Sequence, residues 1–250
     1  MSFKIFFFCS AGKSTLVLAV FRMVELDTGS ITIDGQKIVD LPVRVLRKVL
    51  GMIPQDTFMF SGTMRSNLDV TGSAYSDSEL WDALGQVNLK STVKGFADGL
   101  DHEVQEKGSN LSAGTVQLLC LARVLLKKPQ LIFMDEATAS VDLATDTLVQ
   151  KTIRQAFSNS TIVTIAHRLN TVIDFDKILV MDKGKVAEYG PPVKLLEKKD
   201  GIFTDLVNST GVSSSAELRK RAAAAFASMP IELRPEFEGI EWEEGNTKDN

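Results

Sequence analysis

The sequence predicts an α/β fold with a mostly parallel core sheet flanked by helices. Short apolar runs alternate along the chain with longer segments of helical pattern, as in sheets whose strands are joined through helices. One such run, Leu131–Met134, lacks polar alternation, which is typical of a strand buried on both faces. It ends at two carboxylates, Asp135 and Glu136. Adjacent carboxylates there require a compensating cation or proton, and ligands bind at the carboxyl ends of strands in such sheets.

Composition limits the class of protein. The chain has 250 residues, of which 44% are hydrophobic and 24% charged, which suits one large α/β domain or two small ones. A net charge of −4 argues against a nucleic-acid partner. No apolar run approaches the roughly 20 residues of a membrane span, so action at a membrane would need a membrane part from elsewhere.

The first 60 residues predict alternating strands and helices. Apolar and β-branched content predicts strands at Phe3–Phe8, Ser30–Ile33, Gln36–Val39 and Gly51–Ile53. Helical periodicity predicts helices at Leu16–Val24 and Leu41–Leu50. An Asp34–Gly35 turn joins the second and third strands as a hairpin, and Pro42 suits the first turn of its helix.

The middle of the chain is mostly helical in pattern. Helices are predicted at Thr63–Asn67, Ser78–Leu84, Val87–Phe96 and Thr115–Leu126. Ser76 or Ser78 is expected to cap the second of these. The polar stretch Gly99–Gly108 is expected to be a loop, and Pro129 follows the last helix as a stop signal.

The last 110 residues repeat the alternation and then change character. Strands are predicted at Thr161–Ala166, Lys177–Met181 and Lys185–Glu188, and helices at Leu143–Phe157, Pro191–Lys198, Phe203–Asn208 and Ser213–Met229. We expect a domain over residues 1–211 and a tail over 212–250. The tail is expected to be part helical, with Arg219–Arg221 on a solvated face, and part disordered over the acidic residues 230–250.

A phosphate-binding motif follows the first predicted strand. Gly12, Lys13 and Ser14 stand between a strand and a helix, where backbone N–H groups can surround phosphate oxygens, lysine can bind outer phosphates and a hydroxyl can bind magnesium. The full pattern places a glycine at position 7, where this chain has Phe7. A bare Gly-Lys-Ser is more often a chance helix start. Gln55 and His167, each after a predicted strand, are by themselves more often turn residues.

The motifs in combination are far more specific. Gly12–Thr15, Gln55, Leu111–Gly114, Leu131–Glu136, Ser140–Asp142 and His167 follow one another in an order that resembles the nucleotide-binding domain of ATP-binding cassette (ABC) transporters. The stretches IPQDTFMFSGTMRSNLD and LLCLARVLLKKPQLIFMDEATASVD resemble the second such domain of the multidrug-resistance-associated (C) subfamily. The resemblance covers about residues 10–211. It implies a P-loop NTPase fold with a helical signature-motif subdomain at about residues 63–126.

The resemblance also implies a role for each motif residue. Glu136 would act as general base on the attacking water, and His167 would contact the γ-phosphate. The implied ATP-binding residues are Ser10, Ala11, Gly12, Lys13, Ser14, Thr15 and Gln55. The implied magnesium ligands are Ser14, Gln55 and Asp135. The implied signature and dimer contacts, to ATP on a partner domain, are Leu111, Ser112, Ala113, Gly114 and Asp142.

The sequence departs from the family pattern at several positions. Phe7 and Ser10 replace glycines of the phosphate loop, and Ala113 and Thr115 replace a glycine and a Gln or Glu of the signature. Only nine residues precede Ser10, so the strands that carry the family's adenine-stacking aromatic residue are missing. We therefore expect an N-terminally truncated domain, whose first nine residues differ from the family's usual start.

The implied function is ATP binding and hydrolysis, with Mg²⁺, powering transmembrane export. The implied partners are a second nucleotide-binding domain, facing this one head to tail, and the transmembrane domains of a transporter, at the cytoplasmic face of a membrane. The alternative is a truncated, non-catalytic domain that serves only as a pairing module. A cassette ATPase of repair or translation is disfavoured, because the match is to the transporter subfamily. A P-loop kinase is disfavoured because the signature and His167 would have no role.

Overall fold

The computed structural model describes residues 4–8, 13–55, 57–72, 74–135, 143–157, 159–165 and 169–229. Its strands are β1 (Lys4–Phe8), β2 (Thr32–Ile33), β3 (Gln36–Lys37), β4 (Leu50–Ile53), β5 (Gly62–Thr63), β6 (Glu103–Val104), β7 (Leu131–Asp135), β8 (Thr161–Ile165), β9 (Lys177–Asp182) and β10 (Lys185–Gly190). Its helices are α1 (Lys13–Val20), α2 (Val43–Val49), α3 (Met64–Leu68), α4 (Asp77–Gln86), α5 (Lys90–Lys94), α6 (Ala113–Lys127), α7 (Leu143–Ala156), α8 (Leu169–Val172), α9 (Pro192–Leu195), α10 (Ile202–Asn208) and α11 (Val212–Ser228).

A six-stranded sheet forms the centre of the fold. Its strand order is β10-β9-β1-β8-β7-β4, and all neighbouring strands are parallel except β10, which pairs antiparallel with β9. The predicted α/β class with a mostly parallel sheet is therefore confirmed. Because parallel strands need crossover connections, helices cover both faces of this sheet.

Helix α6 is the most buried helix of the described chain. Every residue from Val116 to Ala122 is buried, and α6 packs against α3, α4 and β4. A second apolar cluster lies between α1, α2 and the sheet, and a third joins β9 to α9, α10 and α11. Helices α3 to α6, which pack on one another and form the helical layer, share one apolar cluster with Ile132 and Ile162 of the sheet.

Two predicted helices have wrong bounds where a residue takes positive φ. Helix α1 stops at Val20 because Arg22 takes a left-handed conformation, with φ 50°, and its Nη1 donates to the carbonyl oxygens of Ile38 and Leu41. The predicted helix Val87–Phe96 is wrong over its first turn. Asn88 has φ 60°, and the Leu89 N–H donates back to the Leu84 carbonyl oxygen at 2.8 Å, which closes α4 before α5 begins.

The stretch Gly99–Gly108 is more regular than the predicted loop. Residues Glu103–Val104 pair antiparallel with Gly62–Thr63, and short 3-10 helices flank them at Gly99–Asp101 and Glu106–Gly108. Two-residue strands carry too little alternation to be seen in a sequence. At the start of α4 the cap is Ser76, whose hydroxyl accepts from the Glu79 N–H while the Glu79 carboxylate accepts from the Ser76 N–H.

Helix α11 packs on the body of the protein. Leu218 and Ala222 are 2% exposed and join the cluster with α9 and α10. Arg219 donates to the carbonyl oxygen of Leu196, and Arg221 donates to that of Asn170 and lies 3.7 Å from Asp174. The expectation of a solvated basic face is therefore wrong for both arginines, which are half-buried and attach the helix to neighbouring segments. Within the described residues, we find no helix with the length and apolar character of a membrane span.

Candidate functional site

Three predicted site segments meet at one edge of the sheet. Helix α1 starts at Lys13, shortly after β1, Gln55 follows β4 by two residues, and Asp135 is the last residue of β7. These strands are parallel members of one sheet, so their carboxyl ends lie on the same side. Neighbouring strands are about 4.8 Å apart, which places the end of β7 about 5 Å from that of β4 and about 10 Å from that of β1.

Asp135 lies at the centre of this edge. It pairs in register with Ile165 of β8, and β4 runs along the other side of its strand. The preceding residues Ile132, Phe133 and Met134 are buried, whereas Asp135 is half-buried, at the point where the strand leaves the core. Its carboxylate thus occupies a position where a cation ligand is both sheltered and accessible.

The structure describes only part of the predicted site. Outside the described residues lie Ser10, Ala11, Gly12, Glu136, Asp142 and His167. Lys13 and Ser14 are placed by their backbone as the first two residues of α1, and Thr15 is exposed in its first turn. The N-terminal turn of α1 carries the positive end of the helix dipole, which suits the anionic phosphates that this motif binds elsewhere.

The structure also shows how the chain enters the phosphate motif. The backbone of Phe7 pairs with Ile165 on one side and Leu179 on the other, and Phe8 pairs with Val180. Strand β1 therefore continues through position 7, where the full motif has a glycine. Residues 9–12 connect this strand to α1.

The signature segment forms the start of α6. Ser112 is the N-cap residue, and its hydroxyl accepts from the Thr115 N–H at 3.1 Å and lies 2.9 Å from the Thr115 hydroxyl oxygen. Ser112 and Ala113 are exposed, and Gly114 is half-buried. Leu111 packs against the main apolar cluster and so fixes the turn to the helical layer. Thr115 supports the cap with its own hydroxyl at the position where the family has Gln or Glu.

The signature turn lies at the opposite end of α6 from the contact between that helix and β4. Helix α6 meets β4 near Val124, since a β-carbon added at Gly51 would lie 3.0 Å from the Val124 side chain. Ser112 lies twelve residues earlier, which is about 18 Å along the helix axis at 1.5 Å per residue. The signature turn thus lies more than three helical turns from the contact between α6 and β4.

A family model for ABC transporters matches residues 10–139. This chain belongs to the ABC transporter family. The matched range contains the phosphate motif, Gln55, the signature turn and Asp135, so every described site segment lies within it.

Individual relatives place this ABC chain near subfamily C. It is 49% identical over 221 residues to ABC transporter C family member 12 of Dictyostelium discoideum, a match that covers 88% of this chain and 17% of that protein. It is 45% identical over 216 residues to human ATP-binding cassette sub-family C member 4, covering 86% of this chain and 16% of that protein. The chain thus spans about one sixth of the length of the curated relatives it matches.

A solved structure has the same fold. A bacterial Atm1-family ABC exporter with ATP bound aligns with a TM-score of 0.75 and 34% identity, covering 84% of this chain and 37% of that one. The likeness agrees with the predicted P-loop NTPase architecture.

Two residues near the ABC site were absent from the sequence prediction. Arg123 donates to the segment that follows Gln55, and Met59 in that segment is fully buried near the signature turn. The only sequence signal was a single cation inside the apolar run LLCLARVLL. Its partners are 56 to 65 residues away in the chain, so periodicity could not indicate them.

Proposed function

We propose that this chain is the nucleotide-binding part of an ABC exporter, which binds ATP and Mg²⁺ and hydrolyses ATP to power transport. The observation that carries the proposal is the meeting of the α1 N-terminus, Gln55 and Asp135 at one sheet edge, with Ser112 of the signature turn exposed at the start of α6. Family membership and the subfamily C relatives support it, and they do not favour the pairing-only alternative.

The residues at this edge fit magnesium and a triphosphate. Ser14, Gln55 and Asp135 would supply the oxygen ligands that Mg²⁺ prefers, with Asp135 half-buried where strand β7 ends. The backbone amides of residues 10–15, at the start of α1, and Lys13 would hold the phosphates. When bound, Mg²⁺ offsets the negative charge of the phosphates during phosphoryl transfer.

The remaining roles complete a hydrolytic site across two domains. Glu136 would accept a proton from the attacking water, and His167 would orient the γ-phosphate. Asp142 and the turn Leu111–Gly114 would meet a second nucleotide-binding domain arranged head to tail. Ser112, as an exposed N-cap, would present its hydroxyl and the first amides of α6 to that domain's ATP. Membrane domains at the cytoplasmic face would convert the closing and opening of the pair into export.

The test is Mg-ATP binding to the purified chain by calorimetry, because Phe7 and Ser10 depart from the phosphate-loop pattern. Lys13→Ala is expected to abolish binding, and the matched control Lys199→Ala, an exposed lysine before α10, is expected to leave the Kd unchanged. Glu136→Gln should retain binding and lower turnover at least about 100-fold. A folded wild-type chain that binds no Mg-ATP, or that binds equally well with Lys13→Ala, would contradict the proposal and favour the pairing module.

A further inference from the structure

Arg123 is a half-buried cation without a carboxylate partner among the described residues. It lies in the apolar second half of α6, is half-buried, and forms none of the ion pairs found in the described chain. Burial lowers the pKa of its guanidinium below the ordinary value. Because an unpaired buried charge is costly, its hydrogen bonds must compensate for lost water.

All the described hydrogen bonds of Arg123 reach residues 58–67, just beyond Gln55. Nη1 donates to the carbonyl oxygen of Phe58 at 2.8 Å, Nη2 donates to the Asn67 side-chain oxygen at 2.9 Å and lies 3.4 Å from the Met59 sulfur, and Nε donates to the Asn67 carbonyl oxygen. The guanidinium carbon lies 5.7 Å from the centre of the Phe60 ring. These contacts need the planar fork of arginine, which lysine cannot reproduce.

The Asn67 side chain completes the attachment of this segment. Its oxygen accepts from the Phe60 N–H at 2.9 Å, and its amide donates to the Phe60 carbonyl oxygen at 2.8 Å. Asn67 is 1% exposed, so water does not compete for these bonds. The backbone at residues 58–60 is thus fixed to α6 through Arg123 and to α3 through Asn67.

The side chain of Met59 lies between this attached segment and the residues that flank the signature turn. Its side chain is fully buried, and a β-carbon added at Gly108 would lie 3.1 Å from Met59 Cγ and 2.9 Å from Val116 Cγ2. Gly108 accepts a hydrogen bond from the Leu111 N–H at 2.9 Å, and the Val116 N–H donates to Ser112. Met59 therefore packs close to Gly108 and Val116, which lie three residues before Leu111 and two residues after Gly114.

We propose that Arg123 is a positioning residue, which fixes the segment after Gln55 to α6 so that Met59 sets the position of the signature turn. This attachment links two parts of the proposed site. One is the sheet edge with Gln55, where this chain would bind its own nucleotide, and the other is the signature turn, which would contact the nucleotide of the partner. This functional consequence rests on the proposed function, whereas the physical link does not.

The link is tested without nucleotide by amide hydrogen exchange. In Arg123→Lys, which keeps the charge and loses the fork, the amides of residues 58–60 and of 111–116 are expected to exchange at least about tenfold faster, and those of β9 to stay unchanged. The matched control Arg44→Lys, on the exposed face of α2, should change neither set. A uniform increase over the whole chain, or faster exchange at 58–60 alone, would overturn the proposal.

A second variant tests the role of Met59. Met59→Ala leaves the Arg123 donors in place and removes the contact with Gly108 and Val116, so exchange at 111–116 should rise. In the double variant Arg123→Lys/Met59→Ala, the amides of residues 111–116 should exchange less than about twofold faster than in Met59→Ala alone, because both substitutions break the same link. Independent, multiplying effects would show that Arg123 does not act through Met59.

The functional arm measures Mg-ATP binding and Mg-ATP-dependent pairing of the chain separately. Arg123→Lys should keep the Kd for Mg-ATP within about twofold and weaken pairing at least about tenfold, a split that a general loss of stability would not produce. Equal losses in both, or unchanged pairing, would overturn the proposed coupling. If the wild-type chain binds no Mg-ATP, the proposed function fails, and the exchange experiment still decides whether the link exists.

Discussion

The carboxylate of Asp69 organises the connection between α3 and α4. Asp69 is 4% exposed and accepts hydrogen bonds from the backbone N–H groups of Thr71, Gly72, Ala74 and Tyr75, at 2.8 to 3.2 Å. The Thr71 hydroxyl donates to it as well, at 2.6 Å. Donors converge on both carboxylate oxygens, so the connection is built around a negative charge.

Replacing Asp69 with asparagine should destabilise the fold at neutral pH. The new amide nitrogen faces backbone N–H donors, and hydrogen bonds to a charged acceptor contribute about 1.5–3 kcal/mol each. Thr71, Gly72 and Ala74 are exposed, so their backbone N–H groups can bond to water in the variant. These bonds offset much of the lost stability. We expect a net loss of about 2–3 kcal/mol in the free energy of unfolding, or about 4–12 °C in Tm at 2–4 °C per kcal/mol.

The loss should depend on pH. Burial alone would raise the pKa of Asp69, but hydrogen bonds from Thr71, Ala74 and Tyr75 outweigh it and hold that pKa below its ordinary value. A lowered folded-state pKa gives stabilisation that is complete above the unfolded-state pKa, about 3.9, and is lost as the pH falls through the folded-state value. The difference between wild type and Asp69→Asn should therefore be constant at pH 5–7 and shrink below about pH 4.

Urea denaturation followed by circular dichroism measures this difference from pH 7 down to the lowest pH at which both proteins remain folded. Asp82→Asn, an exposed carboxylate on the neighbouring α4, is the matched control and should change stability by less than about 0.5 kcal/mol. A variant as stable as wild type at pH 6 would refute the organising role of Asp69. A difference that does not shrink under acid would refute the role of its charge.

Three further substitutions test other parts of the structure. Leu121→Ala, at a fully buried position of α6, should cost about 2–5 kcal/mol in urea denaturation, because it leaves a cavity in the main cluster. Ser112→Ala should cost about 1 kcal/mol in thermal melts through loss of the N-cap, and Ala113→Ser beside it serves as a control expected to change less. Glu188→Ala should cost about 2–4 kcal/mol, because the buried carboxylate accepts from the N–H groups of Ile202 and Phe203, and exchange at those two amides should rise while α6 stays protected.

Local patterns predicted most of the elements correctly. Period-2 and period-3.6 signals identified the six strands of the main sheet and the long helices, with ends wrong by up to four residues. The failures have local physical causes. At Arg22 and Asn88 the chain takes positive φ. Asparagine is enriched in this conformation, a signal that the periodicity of residues 87–96 outweighed, whereas arginine gives no such signal. The charge of Arg219 and Arg221 indicated a solvated face, but in the structure both side chains donate hydrogen bonds to backbone carbonyl oxygens of neighbouring segments.

The motifs of this ABC chain could be identified from the sequence, but their arrangement in space could not. The order of Gly12–Lys13–Ser14, Gln55, Leu111–Gly114 and Asp135 indicated the family, since spacing along a chain is a one-dimensional property. That Asp135 lies beside the strand of Gln55 depends on the pairing of β4 with β7, about 80 residues apart in sequence.

The sequence by itself determined most of the longer elements and the cap at Ser76, because these depend on residues within a few positions of one another. Only the tertiary structure decided the strand order, the packing of Met59 beside the signature turn, and the attachment of residues 58–60 to Arg123. These depend on burial and hydrogen bonds between distant segments, where the cost of removing polar groups from water selects one partner among many.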